Sequence, residues 1–215
     1  MSHLVVFDRL NTGGVKANEM EVRNAIFRGK FTESLQNVTE FPDFCRLWNI
    51  PIDRIVAAET NGLYQQMDDL SIALRFFALY EPNKMEGPFK DYLGEFMEEM
   101  NRNYITDQSL EEKDKKKFEQ AASNCWKVFG EDAFRNTQKE KKGPKSAPLA
   151  DAVMIALAEV DPQKLTAQVI DKLRNGFNQL LTEGEFIKSI SSGTNGKGSI
   201  TKRIEMARKV VVASV

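Results

Sequence analysis

The residues best suited to chemistry lie near the start of the chain, in the run Phe7-Asp8-Arg9-Leu10-Asn11-Thr12-Gly13-Gly14. Paired glycines allow positive φ and close backbone approach, and Asn11 and Thr12 can cap the backbone or hydrogen-bond to a ligand. A turn of this kind can present N–H groups to an anion; it can equally be an ordinary helix C-cap. It is not a Walker A loop, because the G-x-x-x-x-G-K-[ST] spacing is absent. Just downstream, Asn18 followed by Glu21 approximates a capping box and opens a helix with Glu19, Glu21, Arg23, Asn24 and Arg28. No clean apolar stripe runs along that helix. Its Glu21, Arg23 and Asn24 can therefore point polar groups into a cleft, or form a buried ion pair or a solvated face.

A second glycine-rich turn, Ser191-Ser192-Gly193-Thr194-Asn195-Gly196-Lys197-Gly198-Ser199, leads into a basic helix. Residues 197–209 hold Lys197, Lys202, Arg203, Arg208 and Lys209 against the single acid Glu205. Backbone amides at a helix start together with Thr194, Asn195, Lys202 and Arg203 can contact phosphate. Ile200, Ile204, Ala207 and Val211 also give this helix a plain packing face.

Other chemistry is disfavoured. The chain has one histidine, His3, which argues against Ser-His-Asp triads, zinc sites with two or more His and His-dependent metal nucleases. Cys45 and Cys125 lie 80 positions apart among aromatics with no C-x-x-C pattern. They read as buried reduced thiols, which points to a cytoplasmic location. Asp68-Asp69 and Glu98-Glu99 read as solvated acids, since neighbouring residues on a helix point in different directions. Lys113 to Lys117 and Lys139 to Lys145 read as solvated charge runs, and Trp48 and Trp126 as core anchors. No catalytic residue, metal ligand or cofactor is assigned.

The elements that must position these residues are helical. Phe89, Tyr92, Leu93, Phe96, Met97 and Met100 mark one apolar face, with Gly87-Pro88 at its start. Met67 to Tyr80 is apolar around more than half its circumference and predicts a central helix buried on several sides, with Arg75 its only positive charge. Further stripes run through Phe118, Ala121, Ala122, Cys125 and Phe129, and through Leu165, Val169, Leu173, Phe177, Leu180 and Leu181. Asp161-Pro162 reads as an N-cap with proline at the first helical position. The expected helices span 18–29, 31–39, 41–48, 66–80, 88–103, 108–129, 147–159, 162–181, 183–191 and 198–213. Leu4 to Phe7 and Val210 to Val212 are the only β-branched runs, and either assignment suits them.

The fold class is accordingly all-α, an irregular multi-helix domain of about nine to ten helices. It is read as a single domain over 1–215: a front section over 1–138, a mobile loop over 139–148 rich in charge, glycine and proline, and a back section over 149–215. With 30 Lys and Arg against 31 Asp and Glu the chain has a formal charge of −1, so no bulk attraction to nucleic acid or membrane is expected. Stretches free of charge reach only about eight residues, far short of the ~20 that cross a bilayer, and export is not expected.

The run FDRLNTGGVKANEMEVRNAIFRG, residues 7–29, resembles the signature of the GmrSD-type restriction protein family, whose N-terminal domains have a ParB/sulfiredoxin-like region followed by helices. MDDLSIALRFFALY at 67–80 is similar to that family's central helix, GPFKDYLGEFMEEMN at 87–101 to the helix after it, and the stretch containing SSGTNGKGSITKRI, within 186–204, to its closing turn and helix. The resemblance implies a role in defence against foreign DNA, with nucleotide binding or hydrolysis coupled to nuclease activity. It assigns Arg9, Asn11, Thr12, Gly13 and Gly14 to the family's glycine turn and Glu21, Arg23 and Asn24 to the polar helix after it. Together they would form one wall of a ligand cleft, with Arg9 or Arg23 meeting phosphate and Asn11 ordering the turn.

Thr194, Asn195 and Arg203 match the closing motif, for packing or binding. In the central helix the family pattern has a basic residue and a Glu where this chain has Gln66 and Ser71. A family motif of the type Asp-Gly-Gln-Gln-Arg, expected well upstream of the glycine turn, is not in this sequence, nor is a histidine-bearing nuclease domain. The chain thus resembles the helical back half of such a protein: a truncated product, a fragment, or a subunit of a split defence protein, not catalytic alone. Expected partners are the ParB-like half or a nuclease subunit, nucleotide and DNA, with homo-oligomerisation open and no membrane. A non-catalytic helical interaction module is the alternative.

Overall fold

The computed structural model describes residues 17–137 and 143–215, and among them the chain is entirely helical, with twelve α-helices, three short 3-10 turns and no strand. In chain order the helices are α1 (Glu19–Ile26), α2 (Lys30–Thr39), α3 (Pro42–Trp48), α4 (Arg54–Thr60), α5 (Gly62–Gln65), α6 (Asp68–Ala78), α7 (Phe89–Thr106), α8 (Ser109–Phe129), α9 (Ala147–Leu157), α10 (Ala167–Leu180), α11 (Gly184–Ser191) and α12 (Lys197–Ser214). Ten correspond to the expected spans. The expected count of nine to ten falls short by α4 and α5, which carry no stripe; Ala57 is the only buried residue of α4 and α5 has none. The run Val210 to Val212 is helical, while Leu4 to Phe7 lies outside the described residues. Asp161 caps a 3-10 turn, Pro162–Lys164, rather than a long helix; α10 starts five residues later under the Thr166 hydroxyl.

Two helices form the interior. α6 is buried from Asp69 through Ala78 except at Ser71, and α9 is buried from Leu149 to its end. Ser146 accepts from the Leu149 N–H, and Pro148 stands in the first turn, where its missing N–H leaves no bond unmade. Ala147 and Pro148, the last two residues of the stretch read as a loop, belong to α9. Lys145, expected in a solvated charge run, instead donates its ammonium to the Leu47 carbonyl, and burial pulls its pKa down to about 8.

Aromatic rings knit the front helices together. Phe118 on α8 contacts Phe44, Phe76 and Phe77 at centroid distances of 5.2, 5.2 and 5.7 Å, and Phe31 on α2 meets Phe77, Phe96 and Tyr104 edge-on. Such pairs contribute about 0.5–1.5 kcal/mol each beyond simple burial.

The start of α2 is held from a distance. Its N-cap is Gly29, which has no side chain to offer, and Asn101 on α7 takes over that role. The Asn101 Oδ1 accepts from the N–H groups of Phe31 (3.0 Å) and Thr32 (3.4 Å), and its Nδ2 donates to the Phe27 carbonyl at 2.9 Å. A Cβ on Gly29 would stand 2.4 Å from that Oδ1, so glycine is required for space. Asn101→Ala leaves the Phe31 and Thr32 N–H groups without their partner, while the Phe27 carbonyl keeps the Thr32 hydroxyl, and is expected to lower stability by about 1–3 kcal/mol. A urea-denaturation midpoint lowered at unchanged slope is the expected reading; an unchanged midpoint would show the cap to be dispensable.

Candidate functional site

Helix α1 is fixed at its start by the capping box. Asn18 Oδ1 accepts from the N–H groups of Met20 and Glu21, both at 2.9 Å, and Glu21 Oε2 accepts from the Asn18 N–H at 2.6 Å. The Asn18 Nδ2 donates to the Gln66 carbonyl at 2.6 Å, which ties α1 to the approach to α6. Arg23 faces the other way. It is 4 % exposed, and its Nη2 donates to Glu19 (3.2 Å) and to the Lys90 carbonyl (3.1 Å) on α7. Its guanidinium is a tether between α1 and α7.

Glu21 and Asn24 do share a cleft. With Arg28, Gly29, Thr32, Gln36 and Met67 among its lining, they border a cavity of about 460 Å³ between α1, α2 and the residue before α6. Beyond Gln36 and Met67, which line both spaces, lies a second pocket of about 240 Å³ formed with Thr39, Glu40, Arg54, Tyr64, Asp69 and Leu70. The missed helices α4 and α5 bring Arg54 and Tyr64 to it.

Three features mark this second pocket. Met67, on the divide, has φ +53°, a left-handed backbone that a residue with a side chain adopts only at a cost. Arg54 is pinned at the mouth, with Nη2 2.6 Å from Glu40 Oε1 and Cζ 5.2 Å from the Tyr64 ring centroid. Asp69 is 2 % exposed and has no side-chain hydrogen-bond partner; burial pushes its carboxyl up to about 6, against the pull of the Leu70 N–H and of Arg54. A buried acid titrating near neutrality inside a pocket, beside strained backbone, is the physical mark of a ligand site. The reading of Asp68-Asp69 as a solvated pair is corrected here: Asp69 shares a face with the buried Ile72, Ala73 and Phe76.

The expected phosphate contacts lie elsewhere, in a buried charge network. Arg75 on α6 grips Asp151 on α9 with two bonds, Nε to Oδ1 at 3.0 Å and Nη2 to Oδ2 at 2.5 Å. Arg203, 0 % exposed, donates from Nη2 to the same Oδ2 at 2.7 Å, and from Nη1 to the carbonyls of Thr194 (2.6 Å) and Ser189 (3.2 Å). The Asn195 Oδ1 accepts from Arg75 at 3.3 Å, and Phe89 stacks under the Arg75 guanidinium at 4.8 Å. The second glycine turn therefore wraps two arginines: Arg203 and Thr194 serve packing, and Asn195 closes the network. Burial pulls the Arg203 guanidinium below its ordinary pKa, opposed by Asp151. Lys202 is half-exposed and pairs with Glu185 at 3.1 Å.

Of the residues singled out from sequence, Glu21 and Asn24 meet in one cleft, Arg23 lies behind it, and Thr194, Asn195 and Arg203 form a separate structural unit. Arg9, Asn11, Thr12, Gly13 and Gly14 lie outside the described residues. Sequence reasoning missed Asp69, Arg54, Tyr64 and Asp151. Both cysteines are buried and free, and no helix among the described residues is long and apolar enough to cross a membrane. Comparison with protein-family models, with curated proteins and with solved structures gives no match for this chain.

Proposed function

We propose that this chain is the helical portion of a nucleotide-linked DNA-defence protein of the modification-dependent restriction type. In this reading α1, α2 and the start of α6 supply one wall of the ligand cleft. A ParB/sulfiredoxin-like region, on the same polypeptide or a separate subunit, supplies the other, and a nuclease acts downstream. The observation that carries the reading is convergence. Stretches that resemble the GmrSD-type family, distant in sequence, pack against one another: Asn24 reaches the Met67 sulfur at 3.8 Å in the cleft, while behind it Arg23 reaches the Lys90 carbonyl and, in the separate buried network, Arg75 reaches the Asn195 side chain.

The cleft and its side pocket hold Glu21, Glu33, Glu40 and Asp69 against Arg28 and Arg54. That balance suits the donor-rich end of a nucleotide on this wall and leaves phosphate to the other wall. The test is titration of nucleoside triphosphates and of modified DNA into this chain, a ParB-like partner, and the two together. Binding by the pair, weakened about tenfold or more by Asn24→Ala, is expected. No binding by the pair sinks the reading.

A second reading, a non-catalytic interaction module, has one observation in its favour. Ile52, Ile55 and Val56 project into solvent around the start of α4, with Ile55 72 % exposed. An apolar cluster of this kind marks contact surfaces. It predicts self-association in light scattering that Ile55→Ser abolishes, and a monodisperse monomer at high concentration counts against it.

A further inference from the structure

The side pocket at the start of α6 has a floor, walls and a mouth of different chemistry. Its floor is the Asp69 carboxylate, 2 % exposed and held at the first turn of α6 by backbone N–H groups alone. Leu70, Met67 and Tyr64 line it with apolar and aromatic side chains. At the mouth Arg54 lies across Tyr64 and against Glu40, so the one nearby cation is already paired. Thr39 adds no free donor, because its hydroxyl donates to the Gln36 carbonyl at 3.0 Å.

Two carboxylate oxygens side by side accept a matched pair of N–H donors from one planar group, which is the strong, geometrically selective form of hydrogen bond. A volume of about 240 Å³ admits a heteroaromatic ring and excludes a whole nucleotide. The larger cleft borders it across Gln36 and Met67, the two residues that line both spaces.

We propose that this pocket is a base-recognition subsite in which Asp69 accepts the paired N1–H and 2-amino donors of guanine, with Tyr64 and Met67 against the ring. The inference deepens the nucleotide-linked reading and rests on it for the expectation of a nucleotide. A guanidinium group shares the donor pair; the Tyr64 ring and the volume of about 240 Å³ favour the base. Adenine lacks the donor pair and hypoxanthine lacks the amino group, so each offers Asp69 less.

The probes are free nucleosides at about 1 mM, observed by ligand NMR with the full chain at pH 7.5. Guanosine is expected to bind saturably, inosine at least tenfold more weakly, and adenosine and free arginine not detectably. Asp69→Asn presents an amide donor to the guanine donors and is expected to abolish guanosine binding while circular dichroism stays native. Tyr64→Ala, at a partly exposed position, is expected to weaken it about tenfold.

Binding should also fade below pH about 6, where the Asp69 carboxyl gains a proton and offers one acceptor fewer. The charged and titratable groups around it are Asp68 beside it on α6, Arg54 on α4, and Cys45 on α3, whose thiol is pushed up by burial first and then by the Asp69 charge. Glu40 and Tyr64 line the same pocket. Replacing Cys45 by Ser should leave the profile in place.

Equal binding of the three nucleosides, preference for arginine, absence of guanosine binding, or a fully active Asp69→Asn overturns the proposal. Triphosphates bound without regard to base or to Asp69 would overturn this subsite and leave the nucleotide-linked reading standing. Guanosine selectivity in a chain whose complex with the ParB-like partner ignores triphosphates would do the reverse.

Discussion

Asp151→Ala is expected to destabilise the protein by about 3–5 kcal/mol, the penalty for stripping the partner from a buried ion pair. Asp151 is 4 % exposed and is the one carboxylate between two guanidiniums, those of Arg75 and Arg203. Removing it leaves two like charges buried in the interior without their shared carboxylate. The loss is a large share of the roughly 5–15 kcal/mol that holds a domain folded, so the variant should unfold at much lower urea or fail to accumulate.

Arg203→Met is the informative companion. It removes the second cation and leaves the two-bond Arg75–Asp151 pair whole, so its loss should be clearly smaller than that of Asp151→Ala. The buried Arg203 Nε, which has no hydrogen-bond partner, disappears with it. Because the network is shielded from solvent, both effects should persist in high salt, where surface pairs such as Lys116–Glu112 fade. A loss under about 1 kcal/mol for Asp151→Ala would mean that the network relaxes or admits water, and would overturn its role as a buried clamp.

How much of this was readable in the sequence depends on the range over which each feature is determined. Helix α7 was legible because Phe89, Leu93, Phe96, Met97 and Met100 recur at the helical period, and period alone selects the face. Helix α4 was not, since a seven-residue helix with exposed, β-branched Ile55 and Val56 has no face to repeat. The caps of α4 and α5 were there to be read: Asp53 accepts from Ile55 and Val56 at the start of α4, and Asn61 from Tyr64 at the start of α5. Arg203 sits between Ile200, Ile204 and Ala207 on the buried side of α12, so its spacing placed it in the core even as its charge suggested phosphate.

What spacing could not supply was Asp151, 52 residues upstream, or Asn101, 70 residues from the helix it caps. Those partners exist only once the helices pack. The side pocket is the sharpest case, because it needs α2, the two unforeseen short helices and one acid of an adjacent pair turned inward.

That inward acid leads to the second large effect, a pH-dependent gain from Asp69→Asn. The carboxyl titrates near 6 in the folded chain and near its ordinary 3.8 when unfolded, so the folded state holds the proton more tightly. Below about pH 3.8 both states are protonated and the group has no effect on stability. As pH rises toward 6 the unfolded chain ionises first, and the native state loses stability progressively until the folded carboxyl has ionised as well. Above that point the penalty is constant, at up to about 3 kcal/mol for a difference near two pH units.

Asparagine keeps the shape and one acceptor for the Leu70 N–H without the charge. Asp69→Asn should therefore match the parent near pH 4 and exceed it at pH 7.5, by an amount that grows between those limits. Urea midpoints at four pH values read this directly, because the other acids cancel in the difference. A constant offset across the range, or a less stable variant at pH 7.5, would show that Asp69 is a structural cap. A residue whose replacement strengthens the fold yet removes guanosine binding has its charge explained by the ligand rather than by stability.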